Sequence, residues 1–231
     1  MSSKRSWGNL KLQAIKDRPS VTLSNRFRTM ILILVFFQSI SSFAARALAL
    51  SEADRLLLKQ IQKDSFRYFL AYTHSETGLA QDTSRPGSPA SVAATGFALA
   101  SFAIGTQNGW ISYRDAYERI SRTFDTLERK AEAERGFFYH FFDPRTGKRA
   151  WNSEVSSIDT ALLVASAFLA ASYFKGTDLE ERAKRLYERI DWNWMRNGSF
   201  LFSHGWKPSS GFLPYYWDTY SEHLTLQALA L

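Results

Sequence analysis

Beyond its first fifty residues, the chain alternates between two kinds of helical pattern. "RLLLKQIQKDSFRYFLAYT" carries apolar residues at helical spacing, behind a capping-box-like start at Ser51, Glu52, Ala53 and Asp54. "VAATGFALASFAIG" is apolar nearly all round, which predicts a buried helix, and it is too short to span a membrane. "YRDAYERISRTFDTLERKAEAE", opened by Ser112 and Asp115, is amphipathic with a charged outer face. The apolar type returns in "SSIDTALLVASAFLAASYF", closed by Lys175 and Gly176. The amphipathic type returns in "LEERAKRLYERIDWNWM", behind a capping box from Thr177 to Glu180. A last apolar helix begins near the final residues, "YYWDTYSEHLTLQALAL".

The segments between these helices are long and aromatic. "HSETGLAQDTSRPGSPAS" is a loop by its Gly, Pro and Ser content. In "GFFYHFFDPRTGKRAW" aromatic residues flank Asp-Pro-Arg-Thr-Gly, predicting a β-hairpin, and "GSFLFSHGWKPSSGFLPYYW" reads as a second one. The pattern is a repeat. "SVAATGFALAS" and "SSIDTALLVAS" begin 65 residues apart, the two "YERI" segments 70 apart, and Phe137 and Phe200 63 apart, as are Asp159 and Glu222. One buried helix beside one exposed helix, repeated, predicts an all-α fold of concentric layers, an α/α toroid. Solenoids of helical hairpins usually have shorter periods. A ring of six such hairpins needs about twice the residues present, so the expectation is a toroid truncated to about three hairpins with aromatic hairpin-like loops.

Charge changes the picture only at one end. The formal net charge is +7, but residues 1–50 hold eight Lys and Arg against Asp17 alone, so residues 51–231 are neutral overall. That removes the counterion-release argument for nucleic-acid binding. The basic lead, an apolar core over residues 30–37 and small residues at Ala45, Ala47 and Ala49 have the order of an export signal. The expected organisation is a signal over residues 1–49 and a partial toroid domain over residues 50–231. Export to the periplasm or the medium follows, with membrane anchoring by an uncleaved signal as the alternative. There is no Cys, hence no disulfide framework.

Candidate chemistry centres on carboxylates. Asp159 and Glu222 each open an apolar helix just after an aromatic loop. Both also sit in [ST]-x-x-[DE] boxes, Ser156 to Asp159 and Thr219 to Glu222, in which the acid receives backbone N–H groups. The capping role and a chemical role do not exclude each other. The loops that feed them carry Trp151, His204, Trp206, Tyr215, Tyr216 and Trp217, more aromatic surface than a cap requires. Paired carboxylates across an aromatic cleft suit glycoside hydrolysis, one protonating the leaving oxygen and one activating water. Glu154, Asp218 and Asp82 are further acids near the same rim. The four His show no zinc-ligand spacing, and neither a Gly-rich phosphate loop nor G-x-S-x-G is present. No metal or cofactor is expected. A polysaccharide lyase using Tyr216, His204 and Lys207 is a minor rival.

The segments "DSFRYFL", "TGLAQDTS", "SVAATGFALAS", "EVSSIDTALLVAS", "RLYERIDWNWM" and "HGWKPSSGFLPYYWDTYSEHLTLQALAL" together resemble the bacterial "putative glucoamylase" and endo-β-1,2-glucanase family of glycoside hydrolases. The resemblance covers essentially all of residues 51–231. It implies an exported (α/α)6 toroid that cleaves β-1,2-glucan with inversion. On this resemblance Glu222, in the Tyr-x-Glu element, is similar to the family's acid. Asp159 is a substrate-contacting or water-positioning carboxylate with Glu154 beside it. Trp206, Trp217 and Tyr220 line the glucan groove. The resemblance matches the N-terminal half of the family, so hydrolysis by this chain is open, with a non-catalytic glucan-binding remnant and a glucoamylase-like α-glucan hydrolase as the alternatives.

Overall fold

The computed structural model describes residues 50–231; the expected signal, residues 1–49, lies outside the described residues. Leu56–Leu231 form one compact unit. The described chain is predominantly helical. Its helices are α1 (Glu52–Tyr72), α2 (Val92–Gln107), α3 (Tyr113–Arg129), α4 (Ser157–Tyr173), α5 (Leu179–Glu188), α6 (Trp192–Arg196) and α7 (Leu224–Leu229). Short strands of two or three residues lie between them: β1 (Ala90–Ser91), β2 (Ala133–Glu134), β3 (Phe137–Phe138), β4 (Phe141–Phe142), β5 (Val155–Ser156), β6 (Gly205–Lys207) and β7 (Gly211–Phe212). No described helix is long and apolar enough to cross a membrane.

The apolar helices α2 and α4 pack side by side, and the amphipathic α3 and α5 lie against them as a second layer. Gly96 permits the close approach of the first pair, because a Cβ there would stand 2.7 Å from the Leu163 Cα. Between them Val92, Leu99, Phe102, Leu163, Val164 and Ala167 are fully buried. Burial is not complete on every side, however. Phe97, Phe168, Leu169 and Tyr173 remain exposed, since neighbours cover only part of each apolar cylinder. The outer layer is joined by Arg182 of α5, whose buried guanidinium donates to both oxygens of Glu128 (3.0 and 2.8 Å) and to Asp125 (2.7 Å) on α3. A buried Arg is tolerable only with such charged partners.

The repeat holds at the level of atoms. Ser91 and Ser156 cap α2 and α4, accepting the N–H of Ala94 (3.1 Å) and of Asp159 (3.3 Å). Four residues after each cap, Thr95 and Thr160 return a hydroxyl to the cap carbonyl at 2.7 Å. Each threonine also accepts a backbone N–H from outside its helix, of Ala80 (3.1 Å) and of Phe138 in β3 (3.0 Å). Both caps arrive on a strand: Ser91 pairs with Phe141 in β1–β4, and Ser156 with Gly205 in β5–β6.

Several local expectations change. Helix α3 stops at Arg129, and Ala133 and Glu134 instead pair with β3 around a turn at Arg135 and Gly136. Gly136 has φ +86°, and a Cβ there would meet the Arg189 carbonyl at 2.4 Å, so the turn demands glycine. The Asp-Pro-Arg-Thr-Gly turn does close, with Phe142 bridged to Arg149, but β4 makes its longer pairing with β1. The segment expected as one helix after Thr177 is two, because Asp191 leaves helical geometry and caps Trp194 (3.0 Å). Nor does the Thr177 box form. Glu180 accepts from the Gly176 N–H (2.9 Å), while the Thr177 hydroxyl bonds the Phe174 carbonyl (2.7 Å). The second hairpin, β6–β7, forms as expected with Trp206 opposite Phe212.

Candidate functional site

The first turn of α4 organises the polar centre of the molecule. Its cap Ser156 donates a hydroxyl bond to the Asp159 carboxylate at 2.5 Å, completing a local box. The same carboxylate oxygen lies 3.6 Å from Nε2 of His140, and Nδ1 of that imidazole lies 2.9 Å from Oε1 of Glu154. His140 thus spans two carboxylates. Its backbone is fixed on both sides, the N–H donating to the Glu154 carbonyl (2.8 Å) and the carbonyl accepting from Val92 (3.1 Å). Its ring stacks on Phe141 at 3.9 Å.

The electrostatics follow from this geometry. Burial opposes a charged imidazole, but the hydrogen bond to Glu154 and the negative charges of Asp159, Glu154 and Asp82 outweigh it, so the His140 pKa is raised. The hydrogen bond from His140 in turn holds the Glu154 carboxyl below its usual range against the effect of burial, with help from the Lys207 charge. The geometry thus favours the charged form of the His140 ring, held between the two carboxylates.

Beside it lies an aromatic stack. Trp217 stacks on His204 (4.0 Å, 24° between planes) and has the buried His223 5.8 Å away. Its Nε1 donates to the Ser157 hydroxyl at 3.0 Å, and that hydroxyl also bonds the Ser203 carbonyl (2.8 Å). Ser157 is the first residue of α4, so the stack and the carboxylates are positioned by one helix end. A cleft of about 560 Å³ opens there, lined by Leu201, His204, Tyr215, Tyr216, Trp217 and Asp218.

The sequence-predicted residues do not all converge. Asp159 and Glu154 meet through His140 at the α4 end, while His204, Trp217 and Asp218 line the neighbouring cleft. Trp206 packs its ring 5.6 Å from Trp194 at the margin of the core, half-buried, and lines neither of the two clefts. Trp151 projects into a separate cleft, and Tyr220 is 87% exposed. Glu222 is exposed and lies ahead of α7, which starts at Leu224 with no side-chain cap. The Thr219 box expected for it does not form, so its correspondence with Asp159 stops at the sequence. Ser221 bonds His223 Nδ1 (2.9 Å) instead. Sequence reasoning passed over His140 and His223. For His140 a signal existed: it lies 64 residues before His204, and each of these histidines offers its backbone carbonyl to the residue after a cap serine, Val92 or Ser157. Among the described residues, no cluster of His, Asp and Glu is arranged to hold a metal ion.

No protein-family model matches the sequence. An exo-β-1,2-glucooligosaccharide sophorohydrolase (non-reducing end) of Parabacteroides distasonis is 26% identical over 175 residues, covering 69% of this chain and 24% of that protein. A "putative glucoamylase" of Bacteroides uniformis superposes with a TM-score of 0.64 at 25% identity, over 71% of this chain and 42% of the other. An endo-β-1,2-glucanase of Chitinophaga pinensis, solved with sophorotriose and glucose, gives 0.64 at 24% identity, over 78% and 47%. The chain spans about a quarter of the length of its curated relative and less than half that of these structures. Its relatives and structural neighbours are thus "putative glucoamylases" and exo- and endo-β-1,2-glucanases, to which it is similar over most of its length.

Proposed function

We propose that the chain contributes the first three hairpins of an (α/α)6 glycoside hydrolase that cleaves β-glucan, β-1,2-linked as in its relatives, by carboxylate acid–base catalysis with inversion. The observation that carries this reading is the Glu154–His140–Asp159 clamp at the end of α4, set beside the stacked wall of Trp217. Sugar rings present apolar faces to aromatic surfaces and hydroxyls to carboxylates, and this end of the helix offers both.

The clamp also constrains the roles. Inverting hydrolysis needs two carboxyl groups about 6.5–9.5 Å apart with room for water and the glycosidic oxygen between them. An imidazole fills the space between Glu154 and Asp159, so these two act together as one anionic arm. The second group comes from another loop. Glu222, exposed and without a side-chain hydrogen bond among the described residues, takes the part of proton donor. Asp159 positions the water, Glu154 holds His140, and Asp218 at the cleft edge contacts sugar hydroxyls.

The test is release of reducing ends from linear β-1,2-glucan by the full chain, with the anomer of the first product followed by NMR. Inversion with loss of turnover in Glu222→Gln supports the reading. Glucan affinity that persists while no parent or variant turns over would make the chain a binding module. Turnover of α-1,4-glucan alone would reassign the linkage. Residues 1–49 act as an export signal in this proposal, and a mature N-terminus at residue 1 would contradict that.

A further inference from the structure

The second cleft holds a feature that the carboxylate centre does not use. Trp151 is 70% exposed, although tryptophan is mostly buried in folded proteins. Its backbone is left-handed, φ +56°, and so is that of Asn152, φ +55°. Left-handed positions in this chain are otherwise held mainly by glycine, and Asn tolerates them. A bulky aromatic residue there is strained, and such strain persists at sites where the side chain has a use in that place. Nothing in the core requires this ring.

The surroundings say what the use is. The Trp151 ring lies 5.1 Å from Phe141, which is stacked on His140 at 3.9 Å. Phe141 thus links Trp151, through a tilted contact, to the imidazole between the carboxylates. Below the indole is a cavity of about 380 Å³, lined also by His74, Gln81, Pro89, Asp143 and Arg145. Asp143 is pre-set, accepting the backbone N–H groups of Arg145 (2.8 Å) and Thr146 (3.1 Å). An exposed indole face with an amide, a carboxylate and a guanidinium around it matches a pyranose ring, which presents an apolar face and an edge of hydroxyls.

We propose that Trp151 and the cleft beneath it form a second sugar subsite, which holds a glucosyl unit of the same chain that reaches the carboxylates. This rests on the glucan reading of the α4 site. The test is calorimetric binding of β-1,2-glucooligosaccharides of two and of five units to the full chain, alongside its melting temperature. Trp151→Gly removes the ring and relieves the strained backbone together. The expected result is about tenfold weaker binding of the five-unit ligand, a smaller change for the disaccharide, and an unchanged or higher melting temperature. Trp151→Tyr restores most of the affinity. A lower melting temperature in Trp151→Gly would assign the ring a structural role and overturn the subsite. So would five-unit binding equal to the parent's while Trp217→Ala weakens it, an outcome that leaves the α4 site intact. Absence of any binding by the parent chain would remove both readings.

Discussion

The same four-residue pattern occurs before α4 and before α7, and the two copies meet different ends. At α4, Ser156 is extended (φ −102°, ψ 129°), held there by pairing with Gly205, and its hydroxyl engages both the N–H and the carboxylate of Asp159. At α7, the residue in the cap position is His223, already helical (φ −69°, ψ −2°) and without a side-chain cap bond. Thr219 belongs to no described strand, and the last bridge before it joins Tyr216 to Ser203. A capping motif needs its first residue delivered in extended geometry. At α4 a strand supplies that geometry and the cap holds the acid; at α7 none does, and Glu222 stays an exposed side chain. In the proposed hydrolase these are complementary jobs, one acid anchored to orient water and one available to carry a proton.

The largest effect that can break this comparison is on turnover. Glu222→Gln is expected to lower the rate on β-1,2-glucan by roughly 10²–10⁴-fold, the range for loss of a general acid, while the melting temperature stays at the parent value. Asp159→Asn is expected to lower both, because its carboxylate also serves the cap and His140. Equal stability losses in the two variants would show that the acids are not divided as argued.

Next comes the cap itself. Ser156→Ala removes the hydroxyl that accepts the Asp159 N–H and is expected to destabilise the fold by about 1 kcal/mol in chemical denaturation. Thr219→Ala is expected to change it by less than about 0.5 kcal/mol, as for an ordinary surface position. A cap-sized loss at Thr219 would mean that its box forms in solution.

The contrast also marks what could be read along the chain. The helices α1, α2 and α4 were legible because local periodicity specifies them, and the Ser156 box stands as the sequence implies. The interruption at Asp191 was hidden by apolar and aromatic residues that continue the helical spacing on either side of it. Glu222 shows the limit of a motif whose formation depends on how the chain delivers its first residue to the helix. The place of Trp206, against Trp194, depends on α6, which the pattern had merged with α5. The His140 clamp joins three loop and helix positions whose meeting is set by tertiary pairings, so it was readable only through the register of the repeat. The likeness to β-1,2-glucanases was carried by short segments.

The smallest effect, and the most specific to the anchored side, is on pH dependence. The His140 pKa is raised, burial being outweighed by Glu154, Asp159 and Asp82. Its contribution to stability is therefore full below the unfolded histidine value and is lost as pH rises through the higher folded value. Glu154 is depressed, first by the His140 hydrogen bond. Its contribution is present above the unfolded glutamate value and is lost as pH falls through the lower folded one. The clamp is strongest between these limits, in mildly acidic to neutral solution. His140→Gln keeps a polar group but removes the charge. The difference in melting temperature between parent and variant is expected to peak in that window and to shrink at both alkaline and strongly acidic pH. A difference that stays constant from acid to alkali would mean that His140 contributes packing on Phe141 alone, leaving Glu154 and Asp159 without the cation that unites them.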